Sequence, residues 1–415
     1  LKTIDYEQRR NAIYQPLRDQ GLFTWDFMYG SEYALADIHL ITPAELKRLK
    51  QATERLAQIF QRCVPILQNA EDSFLLAMGI PAEALNAVRV KLPIDFVSVY
   101  GAFDLAWTSM GIKLIEFNAD TPSLFVEAYH VNADVCRHFG VRNPNEGCER
   151  HFQQAFSQIM KCYKELHYKT DQVVFSSLDW HEEDAATTRF LLQQSGLHGR
   201  WIPLADLRVY DDNLYFIDGE RLSPVHILFR HHALEKMAVE QDQDGYPTGA
   251  HILDLIARGK VGMINPPSAF LCQTKALLAL IWNLHELGHF FTEEEHEWIS
   301  EYMLPTYFEN RFIGKSGYVE KPIYGREGGG VTLYEANGTI VEQNGNDDYK
   351  DQPMIYQKRI ELPVMNVQTL NGMYQGHALW RSFVVGGMPS AVLIRLGNKI
   401  TGNESFYLPV GIKAY

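Results

Sequence analysis

The period of the apolar residues changes along this chain, and that change restricts the fold more than any other feature. Up to about residue 90 the spacing is helical. Thr42-Pro43-Ala44-Glu45 has the form of a capping box with proline at the first helical position. Leu46, Leu49, Ala52, Leu56, Ile59, Phe60 and Cys63 follow at helical intervals. After Tyr318 the pattern is almost all strand and turn, with strands expected at 318–324, 331–335, 339–343, 354–362, 379–385 and 390–395. Between these regions, residues 95–107 and 112–118 read as strands joined by a tight turn at Ser109-Met110-Gly111. From Asn145 to about Ser223 helices alternate with strands, with a hairpin over 207–217, and helices return at 274–285 and 293–304. Antiparallel hairpins mixed with helices predict an α+β fold. The expected division is a helical N-terminal region (1–92), a hairpin and α/β region (93–260) and a strand-rich region (261–415).

Charge and composition narrow the function classes. The chain has 38 basic and 51 acidic residues, a net charge of −13, which speaks against a broad electrostatic grip on nucleic acid. No apolar run approaches the ~20 residues of a membrane helix, so no membrane partner is expected. The start, Leu1-Lys2-Thr3-Ile4-Asp5-Tyr6-Glu7, lacks the apolar segment of a signal peptide. The five cysteines (Cys63, Cys136, Cys148, Cys162, Cys272) show no CxxC spacing. Buried thiols and a cytoplasmic location are the expectation.

Several constellations carry chemistry. Glu116 and Asn118 are two apart on one strand and share a face. A turn centred on Met110 places Asp104 opposite Glu116 on that face. Two carboxylates side by side repel by up to ~1 kcal/mol, so the face is either solvated or holds a cation. Its oxygen donors suit Mg²⁺, and the neighbouring Phe103, Leu114, Ile115 and Phe117 favour burial. Lys321 alternates with Val319 and Ile323, a cation on an apolar strand face that needs an anion. Four glycines in the six residues 325–330 follow, a loop that suits either a flexible turn or backbone N–H groups laid against phosphates. It is not a P-loop, because no Gly-Lys-Ser/Thr and no helix follow. Arg395, beside Leu393 and Ala391, and Lys275, ahead of an apolar helix, each read alone as snorkelling residues. With Lys321 they make three positive charges, enough for a triphosphate. His285-Glu286-Leu287-Gly288-His289 matches the H-E-x-x-H pattern of zinc hydrolases, but Gly288 reads as a helix end.

Together these segments resemble one family. Ile115-Glu116-Phe117-Asn118-Ala119-Asp120-Thr121-Pro122-Ser123 resembles the E-x-N-A-D-[ST] segment of glutathionylspermidine synthases. Lys321-Pro322, Gly325-Arg326-Glu327-Gly328, Ile355-Tyr356-Gln357, Ile394-Arg395 and Ile400-Thr401 are similar to the same family in the same order. The resemblance is to the stand-alone synthetase domain, without the cysteine amidase domain of the best-known members. It implies an ATP-grasp fold and a ligase that uses Mg²⁺ and ATP to phosphorylate a carboxylate, whose phosphate an amine then displaces to give an amide. Its small-molecule partners would be a peptide acid and a polyamine-like amine. Carried over by position, Asp104, Glu116 and Asn118 would hold the metal. Lys275 and Lys321 would bind ATP phosphates, with Gly325, Arg326, Glu327 and Gly328 closing over them and Gln357 and Ile400 at the nucleotide. Arg395 would sit near the transferred phosphate, and Lys321 and Arg395 would act in the chemistry. Ser123, Glu182 and Glu183 would bind the acid and the amine. One position departs from the family pattern: Ala102 stands where an arginine precedes the metal-binding aspartate. That implies a substitute cation, an acid other than glutathione, or an ATP-binding pseudoenzyme that acts as an interaction module.

Overall fold

The computed structural model describes residues 5–345, 349 and 351–413; Leu1–Ile4, part of the segment read above for a signal peptide, lie outside them. The fold is mixed helix and sheet, as the change of period predicts.

Helix Pro43–Gln68 begins at the expected capping box, with Thr42 Oγ1 accepting from Glu45 N at 3.2 Å and the Glu45 carboxylate accepting from Thr42 N at 2.7 Å. Its apolar stripe lies across one face of a six-stranded antiparallel sheet. The strand order is Phe406–Leu408, Met388–Gly397, Gly372–Val385, Tyr100–Thr108 and Gly111–Asn118, with Val364–Thr369 pairing the first half of Gly372–Val385. Phe103 and Phe117 stack with centroids 4.0 Å apart, and Phe60 of the helix meets Phe117 edge-on at 4.9 Å. The opposite face carries Tyr100, Ala102, Phe383, Ala391 and Leu393, and the first part of it is buried under Phe125, Tyr129, Phe152 and Phe156. The rest of that face is polar and uncovered by this core.

A second antiparallel sheet orders Thr306–Tyr307, Met354–Lys358, Tyr318–Pro322, Thr332–Tyr334 and Ile340–Gln343. A third is parallel, in the order Gly262–Ile264, Ile227–His231, Val173–Ser177 and Gly199–Pro203, with helices Glu182–Ser195 and Thr248–Ala257 in the connections and Arg150–Glu165 leading into its first strand. The hairpin read over 207–217 is part of a three-stranded meander, Leu207–Tyr210, Asn213–Asp218 and Arg221–Pro224.

Two buried polar links fix the parallel sheet against the root of the Tyr100–Asn118 hairpin. Asn265 follows strand Gly262–Ile264 and is 1% exposed. Its Oδ1 accepts from Val99 N (2.7 Å) and Tyr100 N (3.2 Å), and its Nδ2 donates to the carbonyls of Tyr100, Ala119 and Asp120. Arg230, near the end of Ile227–His231, donates to both carboxylate oxygens of Asp120 at 2.6 and 3.0 Å, and both residues are fully buried. Such groups are costly to bury unless each is paired.

Three expectations are adjusted. Residues 95–99 are not strand; pairing begins at Tyr100. One strand starts at Gly372, not at 379, and Val364–Thr369 was not anticipated, because Asn366, Gln368 and Gln375 face solvent and leave no apolar period to read. All five cysteines are free and buried. Among the described residues no helix is long and apolar enough to cross a membrane.

Asn265→Ala removes five hydrogen bonds and strands the backbone donors of Val99 and Tyr100. Leaving buried groups unpaired costs ~1–3 kcal/mol each, so the unfolding midpoint in urea should fall by the equivalent of ~3 kcal/mol; a midpoint equal to wild type contradicts this role.

Candidate active site

The polar half of the six-stranded sheet owes its layout to a bulge. Near the turn, Thr108 pairs with Gly111 and Leu105 with Leu114, a register that would set Asp104 against Ile115. The register shifts by one at that point, so Asp104 stands opposite Glu116, and Ala102 opposite Asn118. The expected juxtaposition of Asp104 and Glu116 is present, although the uniform register assumed for it is not.

What offsets the repulsion is a residue that sequence reasoning missed. Arg381, on the strand that flanks Asp104 from the other side, is its direct cross-strand partner. Arg381 Nε and Nη2 donate to the two Asp104 carboxylate oxygens at 2.7 and 2.8 Å, a bidentate pair with both side chains buried. Asn118 Nδ2 reaches Asp104 Oδ2 at 3.4 Å. Burial alone would lower the Arg381 pKa, but Asp104 outweighs it and raises it. The signal for Arg381 was the one that singled out Arg395: an arginine inside an apolar strand, here Leu379-Trp380-Arg381-Ser382-Phe383.

Glu116 is paired from the start of helix Ala276–Leu287. Lys275 Nζ lies 3.1 Å from it. Burial would raise the Glu116 carboxyl, yet Lys275 and Lys321 overcome that and hold it at about 2. Lys321 Nζ donates to Gln357 Oε1 at 2.7 Å and to the carbonyl of Ile115, the extra residue of the bulge, at 3.2 Å. Burial pulls Lys321 down to about 8. Gln357 is thus engaged in holding Lys321, and its Nε2 donates to Thr306 Oγ1.

Asp104, Glu116, Lys275, Lys321 and Gln357 line the charged end of a cleft between the two antiparallel sheets. Its other walls include the apolar Val319, Leu333, Val341, Leu379 and Ile400, with Lys358, Arg359, Glu361 and Lys399 also along the lining. A slot with apolar side chains along it and Lys275, Lys321 and Arg395 at one end matches a flat ring that carries a polyanion. The glycine loop crosses the mouth. Lys275 Nζ donates to Gly325 O at 2.6 Å, and Arg326 Nε to Glu235 Oε1 at 2.8 Å. Glu327 accepts from the Asn403 amide. Gly328 has φ +72°, and a Cβ there would meet Ile400 Cγ2 at 2.7 Å and Thr401 O at 3.0 Å, so only glycine lets the loop lie on 400–401.

A second cleft opens from the first through Glu116, Gly325, Glu327 and Arg395. It is lined by Ser123, Asn118, Arg381, Glu183 and Tyr33 among others. Arg395 Nη2 donates to Gly402 O at 2.9 Å, and burial, with Arg381 next in weight, lowers its pKa. Burial, with Glu127 adding to it, pushes Glu183 up to about 8. Glu127 is buried, accepts from Trp25 Nε1 (2.8 Å) and Tyr33 OH (3.1 Å), and was also missed; a lone acid in Leu124-Phe125-Val126-Glu127-Ala128-Tyr129 was the available signal. Among the described residues Glu127 Oε2 and Glu183 Oε1 have no hydrogen-bond partner. The expected Glu182-Glu183 pair divides: Glu182 is exposed and accepts from the Thr24 hydroxyl, outside this cleft.

The side-by-side carboxylates of Asp104 and Glu116, with Asn118 next to them, form an oxygen-donor set that fits a hard divalent cation. The zinc-hydrolase reading is corrected. The helix ends at Leu287, and Gly288 at φ +73° turns His289 away from the face of His285. His285 Nδ1 contacts His296 Nδ1 at 2.7 Å, and Glu286 is taken up by Trp282, Tyr307 and Arg311. Among the described residues only Asp212, His251 and Asp254 bring three such ligand atoms together, and Arg258 and Lys260 already pair with Asp212 there.

The family model described as glutathionylspermidine synthase preATP-grasp matches residues 5–413. The chain is similar to a putative acid–amine ligase of Haemophilus influenzae, 26% identical over 75% of this chain and 74% of that protein. It is similar to trypanothione synthetase of Crithidia fasciculata, 22% identical over 83% of this chain and 52% of that protein. The bifunctional glutathionylspermidine synthetase/amidase of Escherichia coli is 24% identical over 68% of this chain and 46% of its own length. The aligned part thus spans about half the length of the latter two relatives.

Lys321 sets a pH dependence for anion binding. Its free-state pKa is about 8, and a bound polyphosphate favours the charged form. Affinity for ATP should therefore be flat below pH 8 and fall by up to about tenfold per unit above it, with proton uptake on binding. Calorimetry across buffers of different ionisation heat measures both; affinity unchanged up to pH 9.5 contradicts the assignment.

Proposed function

Since the chain belongs to the glutathionylspermidine synthase family, we propose that it is an ATP-dependent acid–amine ligase with an ATP-grasp fold, forming an amide through an acyl-phosphate. The observation that carries this reading is the junction of the two clefts. A slot suited to a nucleotide meets, at Glu116 and Arg395, a second cleft lined by Glu183, whose Oε1 has no hydrogen-bond partner among the described residues. One end of the site is built for anions and the other for a cation.

In this reading Asp104, Glu116 and Asn118 hold Mg²⁺, which when bound neutralises phosphate oxygens. Lys275 and Lys321 leave Glu116 and Gln357 for the ATP phosphates, and the 325–330 loop excludes water above them. Ile400 and the strand carrying Gln357 wall the base. Arg395 stabilises charge as the γ-phosphoryl passes to the acid. Phosphoryl transfer needs such positioning and positive charge more than covalent help. Ser123 faces the acid, and Glu183 takes the ammonium of the amine, with the buried Glu127 behind it. A carboxyl held near 8 is suited to accept a proton from that ammonium, which the nitrogen must lose before it attacks. A peptide acid such as glutathione and a polyamine-like amine are the substrate classes, by analogy with the names of the relatives.

Ala102 favours a second reading, an ATP-binding module without turnover. The two readings separate on ADP release. A ligase releases ADP from Mg²⁺ and ATP in step with amide product once the right acid and amine are both present, and Lys321→Ala lowers that rate by ~10²-fold or more. If no acid–amine pair in a broad screen releases ADP while Mg²⁺·ATP still binds, the pseudoenzyme reading stands instead.

A further inference from the structure

Arg381, Asp104 and Glu116 form one row across three adjacent strands, on the face that looks into the second cleft. Position 102 shares that face one step away, and Ala102 is fully buried there, opposite Phe383. The Phe383 ring lies 4.7 Å from Phe125 and 5.7 Å from Tyr129, so this spot has been given over to the apolar core. No side chain at 102 supplies charge to the cleft. Arg381 is the cation nearest in the sheet, and only one edge of its guanidinium is used. Nε and Nη2 hold Asp104, whereas Nη1 makes no hydrogen bond among the described residues, and the side chain lines the cleft beside Arg395. A planar fork presents two edges in fixed geometry to two anions; an ammonium is a point charge on a flexible stem without that geometry.

We propose that Arg381 supplies, from the neighbouring strand, the positive charge that Ala102 does not, one guanidinium edge fixing Asp104 and the other facing the group in transfer. This rests on the ligase reading above. In the step concerned, a carboxylate oxygen of the acid bonds to the γ-phosphorus while the bond from that phosphorus to the β–γ bridging oxygen breaks. The electron pair leaves with ADP, and charge builds on the equatorial oxygens between Arg381 and Arg395. Ala102 then marks a relocated cation, and the chain is competent for transfer.

The test needs no knowledge of the acid. Calorimetry compares the affinity of Mg²⁺·ADP alone with that of Mg²⁺·ADP plus aluminium fluoride, which mimics the phosphoryl group in flight. Wild type should bind more tightly with fluoroaluminate. Arg381→Lys keeps a positive charge beside Asp104, so the fold should persist, and the readout is the ratio of the two affinities, which cancels any change in Mg²⁺·ADP binding itself. It has no second edge, so the extra tightening should drop roughly 10- to 10²-fold, the worth of a charge-assisted hydrogen bond. Arg381→Gln, the second variant, should lose the tightening as well. A purely structural role predicts instead that Arg381→Lys tightens as wild type does, and that result overturns the proposal, as does a wild type that binds Mg²⁺·ADP with no tightening. A wild type that binds no Mg²⁺·ADP at all contradicts the ligase reading instead.

Discussion

Charges buried between two sheets must be paired, and the rest of the site depends on that constraint. A lone carboxylate or ammonium in such a place costs several kcal/mol. Here each has a partner: Arg381 forks onto Asp104, Lys275 meets Glu116, and Lys321 leans on Gln357 and the carbonyl of Ile115. Each of these charges is therefore paired or hydrogen-bonded without a ligand, and Lys321, held by neutral groups, leaves positive charge in surplus. A divalent cation alone would compete with the lysines for Glu116, and a polyphosphate alone would meet that carboxylate. Metal and nucleotide together satisfy both sets, so each favours the other's binding by trading partners within the cleft.

The backbone supplies the geometry that pairing requires. The bulge at Ile115 turns the register so that Asp104 and Glu116 share a row, and it presents the Ile115 carbonyl to Lys321 on the other sheet. Asn265 and the Arg230–Asp120 pair hold the root of the hairpin against the parallel sheet, which contributes the Glu183 helix to the second cleft. Helix Pro43–Gln68 backs the hairpin through Phe60, Phe103 and Phe117. Positive charge gathers where phosphate would lie and bare carboxylate where an amine would lie. In the proposed ligase, acid and amine would approach the same point from sides of opposite sign.

How much of this could be read in the sequence follows from the range of each signal. A charge on an apolar strand is a local pattern, which is why Lys321 and Arg395 stood out, and Arg381 and Glu127 carry the same pattern. The Asp104–Glu116 pairing was legible because a tight turn dictates register over a few residues. The bulge was not, since nothing local distinguishes Ile115 from a regular strand residue. Glu182 and Glu183 were expected to act together, but successive helical residues point about 100° apart, and only Glu183 enters the cleft. The H-E-x-x-H match misled because its spacing has meaning only on an unbroken helix, and Gly288 ends this one. The three sheets and their order lay beyond local pattern, because contacts such as Asn265 with Tyr100 join residues far apart in the chain.

The central claim is that the two clefts meet so that a carboxylate can take the γ-phosphoryl group of ATP. Transfer of isotope tests it most directly. The acid that supports ADP release, prepared with ¹⁸O in its carboxyl group, is turned over with Mg²⁺, ATP and the amine, and the inorganic phosphate is examined by mass spectrometry. An acyl-phosphate route leaves one ¹⁸O from the acid in each phosphate formed. Phosphate free of label, alongside amide product, would contradict it.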